Sequence, residues 1–273
     1  MRWINARPGR RGRIVLGAIP FVIVAVAYAA VSAARRAENP NDKLFPPLPE
    51  IWRQIVAYAF QEDRRSGAVL LWTDTAESLF RLSLGVGTAA ATALVLGIAI
   101  GFVPRLRAGL APFVAALSLV PPLAVLPILF IAFGLGELSK VVLIVIGVAP
   151  VMTRDIAQRV AEIPEEQIVK AQTLGASTWQ MILRVVLPQI LPRLITTVRL
   201  CLGPAWLFLI AAEAIAATGG LGYRIFLVRR YLAMDIILPY VAWITILAYC
   251  IDLALRRLSR RAFGWAHGDG AGL

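Results

Sequence analysis

Cysteine and histidine are nearly missing from this 273-residue chain, which has two of the first and one of the second. Cys201 and Cys250 lie in separate apolar segments without a C-x-x-C spacing. They specify neither a disulfide framework nor a metal site, and read as small buried hydrophobes. The lone His267 falls in a Gly-rich polar tail, which excludes histidine metal clusters and His-based catalytic triads. Lysine is confined to Lys43, Lys140 and Lys170, and none follows the G-x-x-x-x-G of a phosphate-cradling loop. The chain therefore does not bind ATP by that route. Charge of either sign is sparse: 16% of residues are charged and 59% hydrophobic. A soluble domain carries about 25% charged residues, because even a large core needs a charged surface. The solvent expected here is lipid, and no polar stretch is long enough to fold as a second domain.

A spanning helix needs about 20 mainly apolar residues, since the hydrocarbon core is about 30 Å thick. Six stretches qualify or nearly do: Ile14–Ala34, Leu79–Val103, Leu110–Phe133, Val141–Met152, Leu191–Ala217 and Ile236–Leu255. The first follows a basic N-terminus, residues 1–13, that resembles a signal-peptide n-region; it is too long for an h-region and no small-x-small site precedes Arg35, so a retained helix is expected. The fourth is short and should extend towards Leu138 or Asp155. The net charge of +12 would suggest nucleic acid in a soluble protein. Here the arginines flank apolar spans, where they set orientation and meet anionic lipid, and no nucleic-acid partner is expected. Cytoplasmic placement of the N-terminus, Arg105, Arg107, the Arg154–Arg193 connection and the tail, residues 259–273, makes both termini cytoplasmic. Residues 35–76 then form an extracytoplasmic segment with an amphipathic helix, and 77–258 the core. Arg224, Arg229 and Arg230 fall outside near Asp235, either snorkelling or lining an electropositive entrance.

Lipid offers no hydrophobic drive between helices, so small residues must let backbones approach. Gly85, Ala89, Ala93, Gly97 and Gly101 form such a stripe on the second span and predict a tight helical partner. The third span holds Pro112, Pro121, Pro122 and Pro127. Each proline removes a backbone donor, so this helix is bent, either to line and gate a pathway or as a fixed packing kink. Glu213 is an acid inside the fifth span and should face a cavity or a partner, for substrate or gate contact or for a structural hydrogen bond. Asp252 has Arg256 one turn later and reads as a structural pair.

Between the fourth and fifth spans lies IPEEQIVKAQTLGASTWQMILRVVLPQILP, residues 163–192, too polar to span and too periodic for a linker. Pro164, Glu165 and Glu166 start one helix, with acids at its positive end. Leu174 and Gly175 should turn the chain, and Ala176-Ser177 begin a second short helix with an apolar stripe of Trp179, Ile182, Leu183 and Val186. Pro188 and Pro192 are expected to end it before the fifth span. Such a helix–Gly–helix is either a lever that another protein grips or an amphipathic surface helix.

In this loop, Gly175 followed by Val185-Val186-Leu187-Pro188 resembles the EAA loop of binding-protein-dependent ABC importer permeases of type I. Val169-Lys170-Ala171 stands where Glu-Ala-Ala is usual, so only Ala171 is retained and the usual glutamate's ion pair is in doubt. The stretches TAESLFRLSLG, SLVPPLAVLPILFIAFGLG and Ala205–Tyr223 resemble the nitrate, sulfonate and taurine branch. The resemblance implies an all-α polytopic bundle of about six spans with a cytoplasmic coupling helix in the bacterial inner membrane, and no enzymatic activity in this chain. It implies a homodimer of permease subunits, two ATPase subunits carrying ATP and Mg, and a solute-binding protein; this chain itself binds no cofactor. Glu165, Glu166, Ala171, Leu174, Gly175, Ala176, Trp179, Leu187 and Pro188 would couple to the ATPase. Pro121, Pro122, Glu213, Gly219, Gly220 and Gly222 would lie on the pathway or gate. An ion-coupled secondary transporter would also explain bent helices and Glu213, but leaves the loop without a purpose. An integral membrane enzyme is disfavoured because no paired acids lie together in a span. Substrate charge is left open, since the outer arginines favour an anion and Glu213 an amine.

Overall fold

The computed structural model describes residues 9–39, 42–63 and 67–267. Arg2 and Arg7 of the basic N-terminus, and the tail beyond residue 267, lie outside the described residues. Every regular element among the described residues is helical. The chain divides into two compact units, Met1–Leu70 with Val228–Val241, and Leu71–Leu227 with Ala242–Leu273.

In the first unit α1 (Arg10–Glu38) is long enough to cross a bilayer and turns nearly all its apolar residues outward. The chain then folds back on it: the Tyr28 hydroxyl donates to the Pro46 carbonyl at 2.6 Å and Ser32 Oγ to the Phe45 carbonyl at 2.8 Å. A short helix, α2 (Leu48–Phe60), starts at Pro47, whose missing N–H costs nothing at a helix end. Its Gln54 amide donates to Asp235 at 2.9 Å and its Tyr58 ring meets Tyr240 edge-on at 5.8 Å.

The second unit is the bundle. α3 (Leu70–Phe102) carries the small-residue stripe, all of it buried. Its partner is α6 (Glu137–Ala161), longer at both ends than the apolar run suggested. A Cβ on Gly85 would strike Ile144, one on Gly97 would strike Ile156, and one on Gly101 would strike Val160 and the Ala157 carbonyl. The contacts advance together along both helices, so α3 and α6 run parallel. Everything between them must return the chain across the bilayer once. That decides the count of spans. The third span is not one straight helix but α4 (Pro104–Leu117) and α5 (Pro122–Phe133), bent by 93°. The parallel pair requires α4 and α5 together to make a single net crossing, giving six with α1.

α9 (Leu187–Ala216) runs antiparallel to both, with Thr197 beside Asp155 and Glu213 beside Ser78. Here the expected stop at Pro188 and Pro192 is overturned: one unbroken helical stretch runs from Thr178 to Ala216. Pro188 sits in the first turn of α9, where its missing N–H is tolerated. A π turn at Ile182–Val186 widens the helix just before it, with the Leu187 N–H reaching back to the Ile182 carbonyl. α10 (Leu221–Arg229) and α11 (Met234–Ala262) complete the chain. On α11 Asp252 pairs with Arg199 of α9 at 2.7 Å, and more weakly with the expected Arg256 at 3.5 Å.

These directions gather Arg105, Arg107, Arg159, Arg184, Arg193, Arg256, Arg257, Arg260 and Arg261 towards one end of the bundle. Arg107 caps the end of α3, donating to the Ile100 carbonyl at 3.2 Å and to that of Gly101. A valine at Gly101 would place its Cβ 2.5 Å from Val160 Cβ and 2.7 Å from a backbone oxygen that cannot yield. We expect Gly101→Val to lower the stability of the detergent-purified protein by about 1–3 kcal/mol or more. Gly87→Ala, which meets nothing within 4 Å and lies inside α3, should leave the melting temperature unchanged or raise it slightly in the same assay.

Candidate functional site

Two regions at opposite ends of the bundle concentrate the residues singled out by sequence. The first is the loop after α6. α7 (Glu165–Thr173) has Glu165 and Glu166 in its first turn and buries none of its residues. It ends in a Schellman motif: the Gly175 N–H donates to the Gln172 carbonyl at 2.9 Å and the Ala176 N–H to that of Ala171 at 3.0 Å. Gly175 has φ +79°, the left-handed conformation that this motif requires and that favours glycine. Ser177 then caps α8 (Thr178–Met181) with a reciprocal box, accepting from the Gln180 N–H at 3.3 Å while Gln180 Oε1 accepts from the Ser177 N–H at 2.8 Å. Stop and start are thus one rigid elbow of three residues.

The elbow has two faces. Leu174 (80% exposed), Trp179 (66%) and Val169 (48%) point outward, with Glu165, Glu166, Gly175 and Pro188 also exposed and Ala171, Ala176 and Leu187 half-buried. The expected apolar stripe divides. Trp179 and Leu183 are exposed, while Ile182 and Val186 turn inward to a buried cluster of Ile98, Ile156, Val160 and Ile190. That cluster ties the loop to α3, α6 and α9 at once.

The break in the third span is the other exposed feature. Pro121 caps α5 and Pro122 begins it, neither with an N–H to give. Leu119, Val120 and Pro121 are exposed, as is Ile131 further along α5. Ser118 at the end of α4 accepts from Arg154 Nη1 at 2.8 Å, which fixes the break beside α6.

The second region lies where α3 begins, α6 begins and α9 ends. Glu213 is fully buried. Its carboxylate accepts from Ser78 Oγ at 2.8 Å, from Arg81 Nη1 at 2.7 Å and from the Gly222 N–H at 2.8 Å. Arg81 spends all five donors: on Glu213, on the Gly219 carbonyl at 2.9 Å, on Glu77 at 3.0 Å, and twice on Glu137, at 2.5 and 3.0 Å. Lys140, itself buried, donates to Glu137 at 2.8 Å. Asp74 accepts from the Gly220 N–H at 3.1 Å and pairs with Arg224 at 2.8 Å. Of the three outer arginines, therefore, Arg224 is already neutralised.

The glycines follow from this cluster. A Cβ at Gly219 would strike the Glu77 carboxylate, and one at Gly222 the Ile210 backbone. Gly220 combines φ +116° with a Cβ position only 2.5 Å from Glu213 Oε1. Glu213, Gly219, Gly220 and Gly222 thus form one buried site, while Pro121 and Pro122 belong to a different element. Sequence reasoning missed Arg81, Glu77, Asp74, Glu137 and Lys140. The signal was present in the Glu77–Arg81 spacing, one helical turn apart, where an arginine interrupts an apolar run.

The family described as binding-protein-dependent transport system inner membrane component matches residues 93–264. The taurine transport system permease protein TauC of Escherichia coli is 42% identical over 82% of this chain and 80% of its own length. The putative aliphatic sulfonates transport permease protein SsuC of Bacillus subtilis is 30% identical over 69% and 68%. The bicarbonate transport system permease protein CmpB of Synechococcus elongatus is 31% identical over 82% and 80%. Among solved structures, inward-facing conformations of the MetNI methionine ABC transporter share the fold, with TM-score 0.62 at 22% identity over 70% of this chain and 95% of that one.

Removing one member of a buried ion pair leaves the other uncompensated, at a cost of about 3–5 kcal/mol, whereas replacing both by apolar residues is far milder. Arg81→Met alone should therefore destabilise the purified protein strongly, and Arg81→Met combined with Glu213→Leu less than the sum of the two single changes. A thermal-melt double-mutant cycle measures the difference; strict additivity would mean that the 2.7 Å contact carries no coupling.

Proposed function

The chain belongs to the family of binding-protein-dependent transport system inner membrane components, and from that membership we propose a specific division of labour within the transporter. The chain is a multi-pass permease subunit of an ABC importer. It forms the translocation path for a small polar solute delivered by a solute-binding protein, and hydrolyses nothing itself. ATP and Mg belong to a separate pair of ATPase subunits, consistent with the lack of a phosphate loop in this sequence. Both termini are cytoplasmic, a reading supported by the arginine-rich end of the bundle. The relatives named for taurine, aliphatic sulfonates and bicarbonate favour a small cargo that carries an anionic group, with or without an amine.

One observation carries the coupling assignment. An exposed elbow of locked geometry, with no buried residue in α7, is anchored through Val186 and Ile190 to α3, α6 and α9. An ATPase subunit seated on Leu174, Trp179, Glu165 and Glu166 would move these helices as a unit. Glu213 then acts on the gate through position: it holds the Gly219–Gly222 turn rather than touching solute.

The homodimer rests on the break at 118–121. Non-helical backbone at membrane depth is tolerated only against protein or a water-filled path, never against lipid. In one chain Leu119, Val120 and Pro121 are uncovered. A second copy supplies the cover, and Pro121 and Pro122 then face the path between the two.

Two measurements test this reading. In proteoliposomes holding permease, ATPase and binding protein, Gly175→Val should keep ATP hydrolysis but lose most solute uptake, because no β-branched residue adopts φ +79° without distorting the elbow. Uptake coupled as in the wild type would overturn the assignment. Cysteines placed one at a time at Leu119, Val120, Leu123 and Ile131 should give inter-subunit disulfides at one or more positions on oxidation; a scan with none would remove the break from the dimer interface.

A further inference from the structure

The arginine-rich end contains a polar cavity that neither the elbow nor the break explains. Its volume is about 410 Å³, and it opens where α6 ends, α9 begins and the Gly264–His267 turn closes the described chain. Its lining includes Arg159, Glu162, Gln189, Arg193, Thr196 and Trp265. The two arginines differ. Arg159 is held by Glu162 at 3.2 Å and, from outside the lining, by Asp155 at 3.6 Å. The Arg193 guanidinium has no hydrogen bond or ion pair among the described residues. Its charge therefore faces the cavity uncompensated, beside the Thr196 hydroxyl and an indole that is 63% exposed.

We propose that this cavity binds a phosphate ester: the headgroup of an anionic lipid of the cytoplasmic leaflet. Three features favour that chemistry. A guanidinium offers a fork of donors matched to phosphate oxygens. Basic pockets between spanning helices at the cytoplasmic face suit anionic headgroups, which the surrounding surplus of arginine also attracts. Trp265, just past the end of the long apolar helix α11, supplies an indole of the kind enriched at the boundary between hydrocarbon and water. Glu162 keeps Arg159 in place and limits the site to one compensated negative charge, which suits a phosphodiester better than a multiply charged anion. Free inorganic phosphate shares the recognition chemistry, and its contribution is separable by experiment.

The site also touches the loop. Gln189 of the lining donates to Gln167 of α7 at 3.0 Å and to the Val185 carbonyl at 2.8 Å. Occupancy would brace the root of the elbow against α6 and α9, so that anionic lipid raises ATPase stimulation by the loaded binding protein. This second consequence rests on the reading of residues 163–188 as the ATPase contact; headgroup binding does not.

The test uses the full complex of permease, ATPase and binding protein in nanodiscs of phosphatidylcholine with and without phosphatidylglycerol. Native mass spectrometry should find phosphatidylglycerol retained on the wild type and reduced about tenfold by Arg193→Gln, the loss expected for one charge-assisted contact. Arg257→Gln, on an exposed α11 position outside the lining, should change retention less than about twofold. Equal loss in both variants, or none in Arg193→Gln, overturns the site. Retention that rises when the ATPase is stripped away also overturns it, since the cavity would then be part of the protein interface. Millimolar inorganic phosphate that displaces the lipid from wild type but not from Arg193→Gln keeps the anion site and identifies free phosphate as a competitor. Binding-protein-stimulated ATPase should depend on phosphatidylglycerol in the wild type and not in Arg193→Gln. Normal lipid retention without that dependence would count against the loop assignment alone.

Discussion

The guanidinium of Arg81 is the constraint around which one end of the bundle is organised. A single planar group with five donors reaches the start of α3, the start of α6, the end of α9 and the backbone of the glycine turn. Both Arg81 and Glu213 are buried, and their contact replaces part of the hydration each has lost. Ser78 and the Gly222 N–H take up acceptor capacity that Arg81 leaves free on Glu213. The glycines are secondary to this. At Gly219 and Gly220 the Glu77 and Glu213 carboxylates occupy the space a Cβ would need, and at Gly222 the Ile210 backbone does, so charge and backbone approach rather than apolar side-chain packing set the 219–222 turn.

From there on, the seam between α3 and α6 is built on shape. α3 and α6 approach closely along Gly85, Gly97 and Gly101, with the branched side chains of Ile144, Ile156 and Val160 filling the notches. Between lipid-solvated helices such contact supplies the dispersion that the hydrophobic effect does not. The same register makes the two helices parallel, and this forces the broken third span to cross the membrane once. The bend at Ser118–Pro121 is therefore part of a crossing element rather than a loop that dips and returns.

Much of this was legible from local pattern. The apolar spans follow from composition, the stripe on α3 from a four-residue period, and the elbow from Gly175 between two helical periods. What was not legible depends on distance or on ambiguity. Arg81 and Glu213 are 132 positions apart, and no local rule joins them. Asp252 has a neighbour at i+4 and was assigned to it, yet its shorter bond is to Arg199 on another helix. Pro188 and Pro192 read as a stop, yet the helix runs through both: Pro188 comes just after the π turn at 182–186, which widens the helix there, and Pro192 lies inside α9. The 93° angle between α4 and α5 likewise follows from prolines only in that some bend is required.

That unbroken stretch from Thr178 to Ala216 has a thermodynamic corollary. It carries the elbow at one extremity and the Glu213 cluster near the other, with about 54 Å of helix between them. A rod joining both faces of a bilayer makes occupancy on one side and occupancy on the other two readings of a single equilibrium. By linkage, whatever factor a ligand at the elbow end applies to binding at the Glu213 end, binding at the Glu213 end must apply in return. Signalling across this membrane is then reciprocal by construction, and neither side can be tuned without retuning the other.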